Sequence, residues 1–155
     1  MLFMSRSLLL AALMAAPVVA IAAQDHPLVG AWKITYAGGV RVENGASTPI
    51  EATAKLTVEV QGDSLIAHFV PDPVEGRTRP PFRLAALNAT GAVTFIQRSE
   101  GTVTMNGLEE QRSVTTRWTL MVSGDTIDGT IDRSIEGLNL PTGGPKPVSG
   151  TRQRS

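Results

Sequence analysis

The sequence of 155 residues contains no cysteine. Without thiols the chain can form neither a disulfide framework nor a cysteine-ligated metal centre. A bacterial lipoprotein is also excluded, because its lipid is attached to an N-terminal cysteine. A protein without disulfides must be held together by its apolar core, and a chain of about 130 residues or more is long enough to build one.

Histidine and concentrated positive charge are also scarce. His26 and His68 are the only histidines, and they lie too far apart in sequence to suggest a metal site. The 14 Lys and Arg residues are balanced by 14 Asp and Glu, with no basic cluster of the kind that binds nucleic acid. Nucleophile elbows, phosphate-binding loops and paired carboxylates are absent from the sequence. The sequence therefore predicts no metal, no cofactor and no nucleic-acid partner.

The N-terminus has the layout of a cleavable signal peptide. A short segment with one positive charge, Met1–Arg6, precedes an apolar run over 7–20 and then several small residues. The run is too short to span a membrane comfortably, and no later segment is long enough. We therefore expect a signal peptide over 1–22 and a single domain over 23–155, exported to a bacterial periplasm or secreted. The alternative is an N-terminal anchor that is retained.

The rest of the chain has the periodicity of β-strands. Apolar and polar residues alternate over 54–60 and again over 114–122, and no segment of ten residues shows a helical period. Such alternation is typical of strands with one buried and one solvated face. The pattern predicts eight strands, at 30–36, 51–60, 64–70, 82–87, 92–105, 108–122, 126–135 and 147–153.

The connections between these strands predict the topology. Asn106-Gly107 is a strong two-residue hairpin signal, and the connections after the second, fourth and sixth strands are short and contain glycine. Long connections are expected over 37–50, 71–81 and 136–147, all at the opposite end. Local connections favour a meander, and closing it removes both exposed edges. We therefore expect an all-β fold, a single eight-stranded antiparallel up-and-down barrel with one closed end and one open end.

The start of the first strand resembles a known family. Gly30-Ala31-Trp32 is similar to the Gly-x-Trp motif that opens the barrels of the calycin superfamily, which includes lipocalins, fatty-acid-binding proteins and avidins. The resemblance implies a lipocalin-like barrel in which Trp32 closes the bottom and Arg152, near the end of the last strand, packs over it as a structural pair. The chain lacks the second lipocalin motif, the disulfide and a C-terminal helix.

Strand parity predicts which residues point inward near the open end. Arg133 shares an apolar face with Ile131, and an inward arginine requires a counter-charge or a ligand. We predict that it anchors an anionic or carbonyl-bearing ligand; the alternative is a structural ion pair with Glu110 or Glu136. Trp118 is predicted to be a structural core residue. The predicted ligand-binding residues are Tyr36, Phe69, Phe82, Met105, Arg112 and Arg133, with Glu110 on the same face.

The sequence allows two interpretations of the open end of the barrel. An aromatic wall with a few charged groups is typical of a small-ligand pocket. Alternatively, the apolar residues fill the barrel and the charged groups reach solvent at its rim. The proline-rich loop over 71–81 is either a stiff lid whose Arg77 and Arg79 meet an anionic group, or an ordinary solvated loop. His68 could serve as a lone acid–base group, with its orientation undecided.

Three classes of function follow. The favoured one is a protein that binds a small apolar or amphipathic molecule at the open end. The second is a small cofactor-free enzyme, such as an isomerase, lyase or cyclase, that uses the barrel pocket. The third is an exported binding protein of the protease-inhibitor kind, with a protein as its partner. The fold alone does not choose among them.

Overall fold

A computed structural model describes residues 25–44, 46–138 and 144–154. The predicted signal peptide over 1–22 lies outside these residues. The described ranges contain no helix, and so none that is long and apolar enough to cross a membrane. They contain eight strands, β1 (Gly30–Glu43), β2 (Ala46–Gln61), β3 (Ser64–Pro71), β4 (Phe82–Leu87), β5 (Val93–Met105), β6 (Leu108–Ser123), β7 (Thr126–Ile135) and β8 (Lys146–Arg152).

All eight strands form one antiparallel sheet in the order β4-β3-β2-β1-β8-β7-β6-β5. Each strand lies beside its neighbour in sequence, and β1 pairs with β8. The outer strands β4 and β5 approach one another, although no backbone ladder joins them in the described part of the chain. The sheet is therefore a nearly closed up-and-down barrel, and the predicted fold class is confirmed.

The predicted long connection over 37–50 is wrong. β1 and β2 continue through it as one hairpin, with a register irregularity between Ala37 and Gly39. The turn carries Asn44 with a φ of 52°, and the Asn-Gly pair at 44–45 is the preferred sequence for a two-residue hairpin turn. Two consecutive glycines at 38 and 39 resemble a strand end in sequence, which hides the alternation that follows them. β4 and β7 have their predicted bounds.

The barrel interior below the open end is packed with apolar side chains. Along β2, for example, Ala54, Leu56 and Val58 are buried, whereas Lys55 and Glu59 on the opposite face are exposed. This alternation follows from the pleat, which sends successive side chains to opposite faces of a strand. The largest fully buried side chains are Trp32, Trp118, Phe69, Phe95, Leu28, Ile34, Leu56, Leu65, Leu120, Ile127, Ile131 and Val58.

The closed end is built around Trp32, which is fully buried. Its indole Nε1 donates a hydrogen bond of 2.8 Å to the carbonyl oxygen of Leu28. The guanidinium carbon of Arg152 lies 4.1 Å from the centre of the Trp32 ring. Arg152 therefore stacks on Trp32, which is the contact that the calycin resemblance implied.

Arg152 is also fixed by hydrogen bonds to the segment before β1. Its Nη1 donates to the carbonyl of Val29 at 3.0 Å and its Nη2 to that of Pro27 at 2.9 Å. Its Nε donates to the Asp125 carboxylate at 3.1 Å. Gly30 has a φ of 129°, and a Cβ at this position would come within 2.9 Å of Arg152 Nη1. Glycine is thus required for the arginine to reach its place.

Candidate functional site

Four aromatic side chains form a layer across the open end of the barrel. Tyr36 packs edge-on against Trp118 with ring centres 4.9 Å apart, and Phe69 stacks on Phe82 at 4.7 Å. The Phe69 and Trp118 ring centres are 4.9 Å apart and join the two pairs. Aromatic contacts of this kind each contribute about 0.5–1.5 kcal/mol beyond the area they bury. The layer separates the filled interior from the space above it.

A cavity of about 270 Å³ lies on this layer, and we refer to it as the mouth pocket. The volume lies near the lower end of the range for small-molecule sites. Strands β1, β4, β5, β6 and β7 contribute to it, together with the end of β3 and the loop that follows. Its lining residues are Tyr36, Pro71, Arg79, Pro80, Pro81, Phe82, Gln97, Trp118 and Arg133.

Two arginines reach the mouth pocket from opposite sides. Arg133 on β7 is partly buried, and its Nη1 donates to the carbonyl of Ala37 at 3.1 Å. Arg79, on the loop between β3 and β4, donates from Nη2 to the carbonyl of Gly38 at 2.8 Å. Both carbonyls lie where β1 shifts register. A Cβ at Gly38 would lie 2.5 Å from that of Ala52, so this stretch of β1 requires glycine.

Neither arginine forms an ion pair with a carboxylate of the described residues. Glu110 is paired with Arg112 instead, which leaves the structural alternative for Arg133 without support. Burial and, to a smaller extent, the charge of Arg79 lower the pKa of Arg133. A guanidinium nevertheless stays protonated in a protein at neutral pH. The mouth pocket therefore holds two positive charges, neither of them ion-paired within the part of the chain that the structure describes.

The Tyr36 hydroxyl lies beside these guanidinium groups. Burial raises the pKa of Tyr36, while the charges of Arg79 and Arg133 and a hydrogen bond from Arg79 partly oppose that shift. The phenol is therefore neutral at ordinary pH. Its O–H is a hydrogen-bond donor and its oxygen an acceptor at the edge of the two charges.

Trp118 carries an unpaired polar group. The side chain is 2% exposed, and its indole Nε1 has no hydrogen-bond partner among the described residues. Leaving a buried donor unpaired costs about 1–3 kcal/mol. Opposite Trp118 on β7 lies Ile131, and opposite Arg133 on β6 lies Thr116, so that Trp118 and Arg133 are diagonal neighbours on the inner face.

No family model, curated protein or solved structure matches this chain.

Three of the residues predicted to bind a ligand line the mouth pocket: Tyr36, Phe82 and Arg133. Phe69 belongs to the aromatic layer, where it stacks on its cross-strand partner Phe82, but it is 1% exposed and does not line the pocket. The side chain of Met105 lies outside the described part of the structure. Trp118, predicted only as a core residue, is both buried and part of the lining.

Arg112 is not part of the mouth pocket. It binds the carboxylate of Glu110 and donates from Nη1 to the carbonyl of Glu136 at 3.3 Å. The β6–β7 ladder ends at the pair Val114 and Ile135, so residues 108–113 extend beyond the barrel. The alternation of side chains identifies inward-facing residues only where a strand forms part of the barrel wall. Arg112 lies beyond the wall, so the alternation does not show which way its side chain faces.

Sequence reasoning missed Gln97. It lies two residues after the buried Phe95 on β5, so the parity of that strand places it on the inner face as well. The same alternation continues to Met105, and Met105 is the only residue of this strand that was predicted to bind a ligand. His68 was undecided from sequence, and the structure places its Nε2 3.3 Å from the Glu59 carboxylate on the outer face, away from the pocket.

The loop that carries Arg79 is fastened to the barrel. Asp72 at its start accepts hydrogen bonds from Lys33 and Thr53, and these two bonds lower the pKa of its carboxyl. Val74 and Arg77 exchange backbone hydrogen bonds of 3.0 and 2.9 Å across a tight turn. Of the two arginines considered for a lid, Arg79 lines the mouth pocket and Arg77 does not. In the described residues no group of three acidic, histidine or cysteine side chains could hold a metal ion.

Proposed function

We propose that this protein binds a small amphipathic molecule in the mouth pocket, with an anionic or carbonyl-bearing head on the arginines and an apolar body on the aromatic layer. The observation that carries this proposal is the pair of guanidinium groups, Arg79 and Arg133, above aromatic rings and without a carboxylate partner among the described residues. A charge taken out of water is costly unless it is paired. A ligand with a negative group supplies the missing partner.

The geometry favours binding in two further ways. The guanidinium groups are held by the carbonyls of Ala37 and Gly38, so little freedom is lost when a ligand arrives. The partly apolar surroundings strengthen charge-assisted hydrogen bonds. Each such bond contributes about 1.5–3 kcal/mol. The rings of Phe82 and Trp118 provide the apolar contact for the rest of the molecule.

The test is the substitution Arg133→Met, with affinities for a panel of short-chain and aromatic carboxylates measured by isothermal titration calorimetry. We expect binding to weaken by about 2–3 kcal/mol because a charged hydrogen bond is lost. The melting temperature should stay the same or rise, because a poorly solvated charge is removed. Arg117→Met is the matched control, since Arg117 lies exposed on the outer face of the same sheet. Unchanged affinity together with a lower melting temperature would refute the proposal.

Export and kinship with the calycins belong to the same proposal. Export is supported by the N-terminal segment 1–22, and kinship by Gly30-Ala31-Trp32 together with the Arg152 contact. Native mass spectrometry of the protein recovered from the periplasm or the medium tests both export and binding. The expected result is a chain that begins at Ala23, to within one residue, and carries a bound small molecule. A chain that retains residues 1–22 and stays with the membrane would contradict the export prediction.

A further inference from the structure

The polar groups of the mouth pocket are mostly donors. Arg79, Arg133 and Trp118 offer N–H groups, and only Gln97 and Tyr36 offer oxygen acceptors. A ligand that satisfies this set must therefore bring acceptors, and more than one of them.

The donors are of two kinds. The guanidinium groups are charged and already rest on β1 carbonyls, so a ligand adds to bonds that exist. The Trp118 N–H is neutral and unpaired within the described structure, and its nitrogen is shut off from solvent, so the indole must shift toward the mouth pocket before a ligand oxygen can accept from it. That new hydrogen bond would remove an existing penalty. Because Trp118 and Arg133 are diagonal neighbours on one face, a head group with two oxygens can be shared between them.

The space below the pocket limits the size of the ligand. Ile34 and Leu120, the next inward residues below Tyr36 and Trp118 on their strands, are fully buried, so the lower interior holds side chains. The mouth pocket itself measures about 270 Å³. A cavity of about 150 Å³ is enough for benzene. The available volume therefore suits one ring or a short chain with an acidic group, and it does not suit a long acyl chain inserted along the barrel axis.

We propose that the mouth pocket selects small aryl or short-chain carboxylates, whose oxygens bind the guanidinium groups of Arg79 and Arg133 and accept the N–H of Trp118. This inference rests on the proposed function and narrows it to one ligand class. The Trp118 N–H adds a directed neutral donor to the two charges, and the aromatic rings beside it favour an anion that carries an apolar body. Phosphate is the natural comparison, since it has the charge without the apolar body.

The experiment follows the Trp118 indole N–H by ¹H–¹⁵N NMR in the wild-type protein. The chain has two tryptophans, so its two indole signals are assigned by the loss of one in Trp118→Phe and of the other in Trp32→Phe. The probes are phenylacetate, its neutral analogue 2-phenylethanol, hexanoate, dodecanoate and inorganic phosphate. We expect phenylacetate to move the Trp118 proton downfield to saturation and to leave the Trp32 proton in place.

Affinities for the same probes complete the test. We expect 2-phenylethanol and phosphate to bind at least about tenfold more weakly than phenylacetate. The first lacks the negative charge for the arginines, and the second lacks an apolar body for the aromatic layer. Dodecanoate should bind no more tightly than hexanoate. Trp118→Phe should weaken phenylacetate about tenfold, the effect of one charge-assisted hydrogen bond, whereas Trp32→Phe should leave its affinity unchanged.

The failures of the two proposals are distinguishable. If phenylacetate binds in an Arg133-dependent way but the Trp118 proton stays in place, or if dodecanoate binds far more tightly than hexanoate, the carboxylate selection is wrong and the binding function stands. If phosphate binds as well as phenylacetate, the pocket is a simple anion site and the selection is again wrong. If none of the probes binds to wild type or to Arg133→Met, both proposals are overturned.

Discussion

The two ends of the barrel use the same residue types for different purposes. Each end has a buried tryptophan with an arginine near it, Trp32 with Arg152 and Trp118 with Arg133. At the closed end the indole N–H is bonded to Leu28. At the open end the indole N–H has no partner in the described residues. The difference lies in how completely the polar groups are satisfied, and it is the reason why the open end is the candidate site.

The arginines show the same contrast. Arg152 reaches two backbone carbonyls and the carboxylate of Asp125. Arg133 reaches one backbone carbonyl, that of Ala37, and forms no ion pair in the described structure. A polar group that the fold satisfies adds to stability, whereas one that it leaves unsatisfied is available to a ligand.

The largest expected effect is the loss of either indole. Trp32→Ala and Trp118→Ala should each lower the free energy of unfolding by about 3–5 kcal/mol, because both leave a large cavity in the core. Chemical denaturation of the two variants measures this. A Trp118→Ala protein that unfolds within a few tenths of a kcal/mol of wild type would show that the open end does not belong to the core.

Removal of the arginines should separate the two ends. Arg152→Met should lower the free energy of unfolding by about 1–3 kcal/mol, since it loses the stacking on Trp32 and leaves carbonyl groups unpaired. Arg133→Met should not lower it, because the loss of the hydrogen bond to the Ala37 carbonyl is offset by the removal of a poorly solvated charge. Thermal unfolding of both variants gives the comparison. Equal losses would mean that both arginines are structural.

Replacing the indoles by phenyl rings sharpens the comparison. Trp32→Phe removes the N–H that satisfies Leu28, whereas Trp118→Phe removes an N–H without a partner in the described residues. We therefore expect Trp32→Phe to be the more destabilising by about 1–2 kcal/mol, the effect of one buried hydrogen bond. Denaturant unfolding of the two proteins decides it. The reverse order would show that the Trp118 N–H is already satisfied in the free protein.

The smallest effect concerns acid and the loop at the open end. The hydrogen bonds from Lys33 and Thr53 lower the pKa of Asp72, so its stabilising effect is fully present above the unfolded value of about 3.9 and is lost as the pH falls through the folded pKa. Because the pair is exposed, the contribution is about 0.2–1 kcal/mol. Asp72→Asn should therefore be slightly less stable than wild type at neutral pH.

The difference between wild type and Asp72→Asn should shrink as the pH falls through the folded pKa of Asp72 and disappear once the wild-type carboxyl is protonated as well. Lys146→Gln serves as a control, because Lys146 is an exposed residue at the open end and the described structure gives it no ion pair. A gap between wild type and Asp72→Asn that is independent of pH would assign the effect to the shape of the side chain.

The strands could be predicted from the sequence because their signal is local. Alternation in β2 and β6 and the Asn106-Gly107 turn depend only on neighbours in sequence. The β1–β2 hairpin was missed because Gly38 and Gly39 interrupt the alternation, although their role is to place two carbonyls beside the arginines. In a sequence, a β-bulge within a strand looks the same as the end of a strand. Only the pairing with the neighbouring strand distinguishes them.

The candidate site could be predicted only in part, for a related reason. Tyr36, Phe82 and Arg133 lie on regular strands, so parity found them. Arg79 lies on an irregular loop whose path has no period, and sequence gave it only as one of two arginines in a possible lid. The unpaired state of the Trp118 N–H depends on every group that surrounds it. No pattern in the sequence reports that state, because it is a property of the packed fold.

The sheet order divides the barrel into two halves that are each continuous in sequence. The first four strands make one half and the last four the other. Within the described residues the only ladder between the halves is the β1–β8 pairing, which has four residue pairs. The mouth pocket lies across the opposite seam, where β4 and β5 meet without a ladder, since it draws on Phe82 from one strand and Gln97 from the other. A bound molecule would therefore hold the two halves of the chain together at the seam where no backbone ladder of the described residues joins β4 to β5.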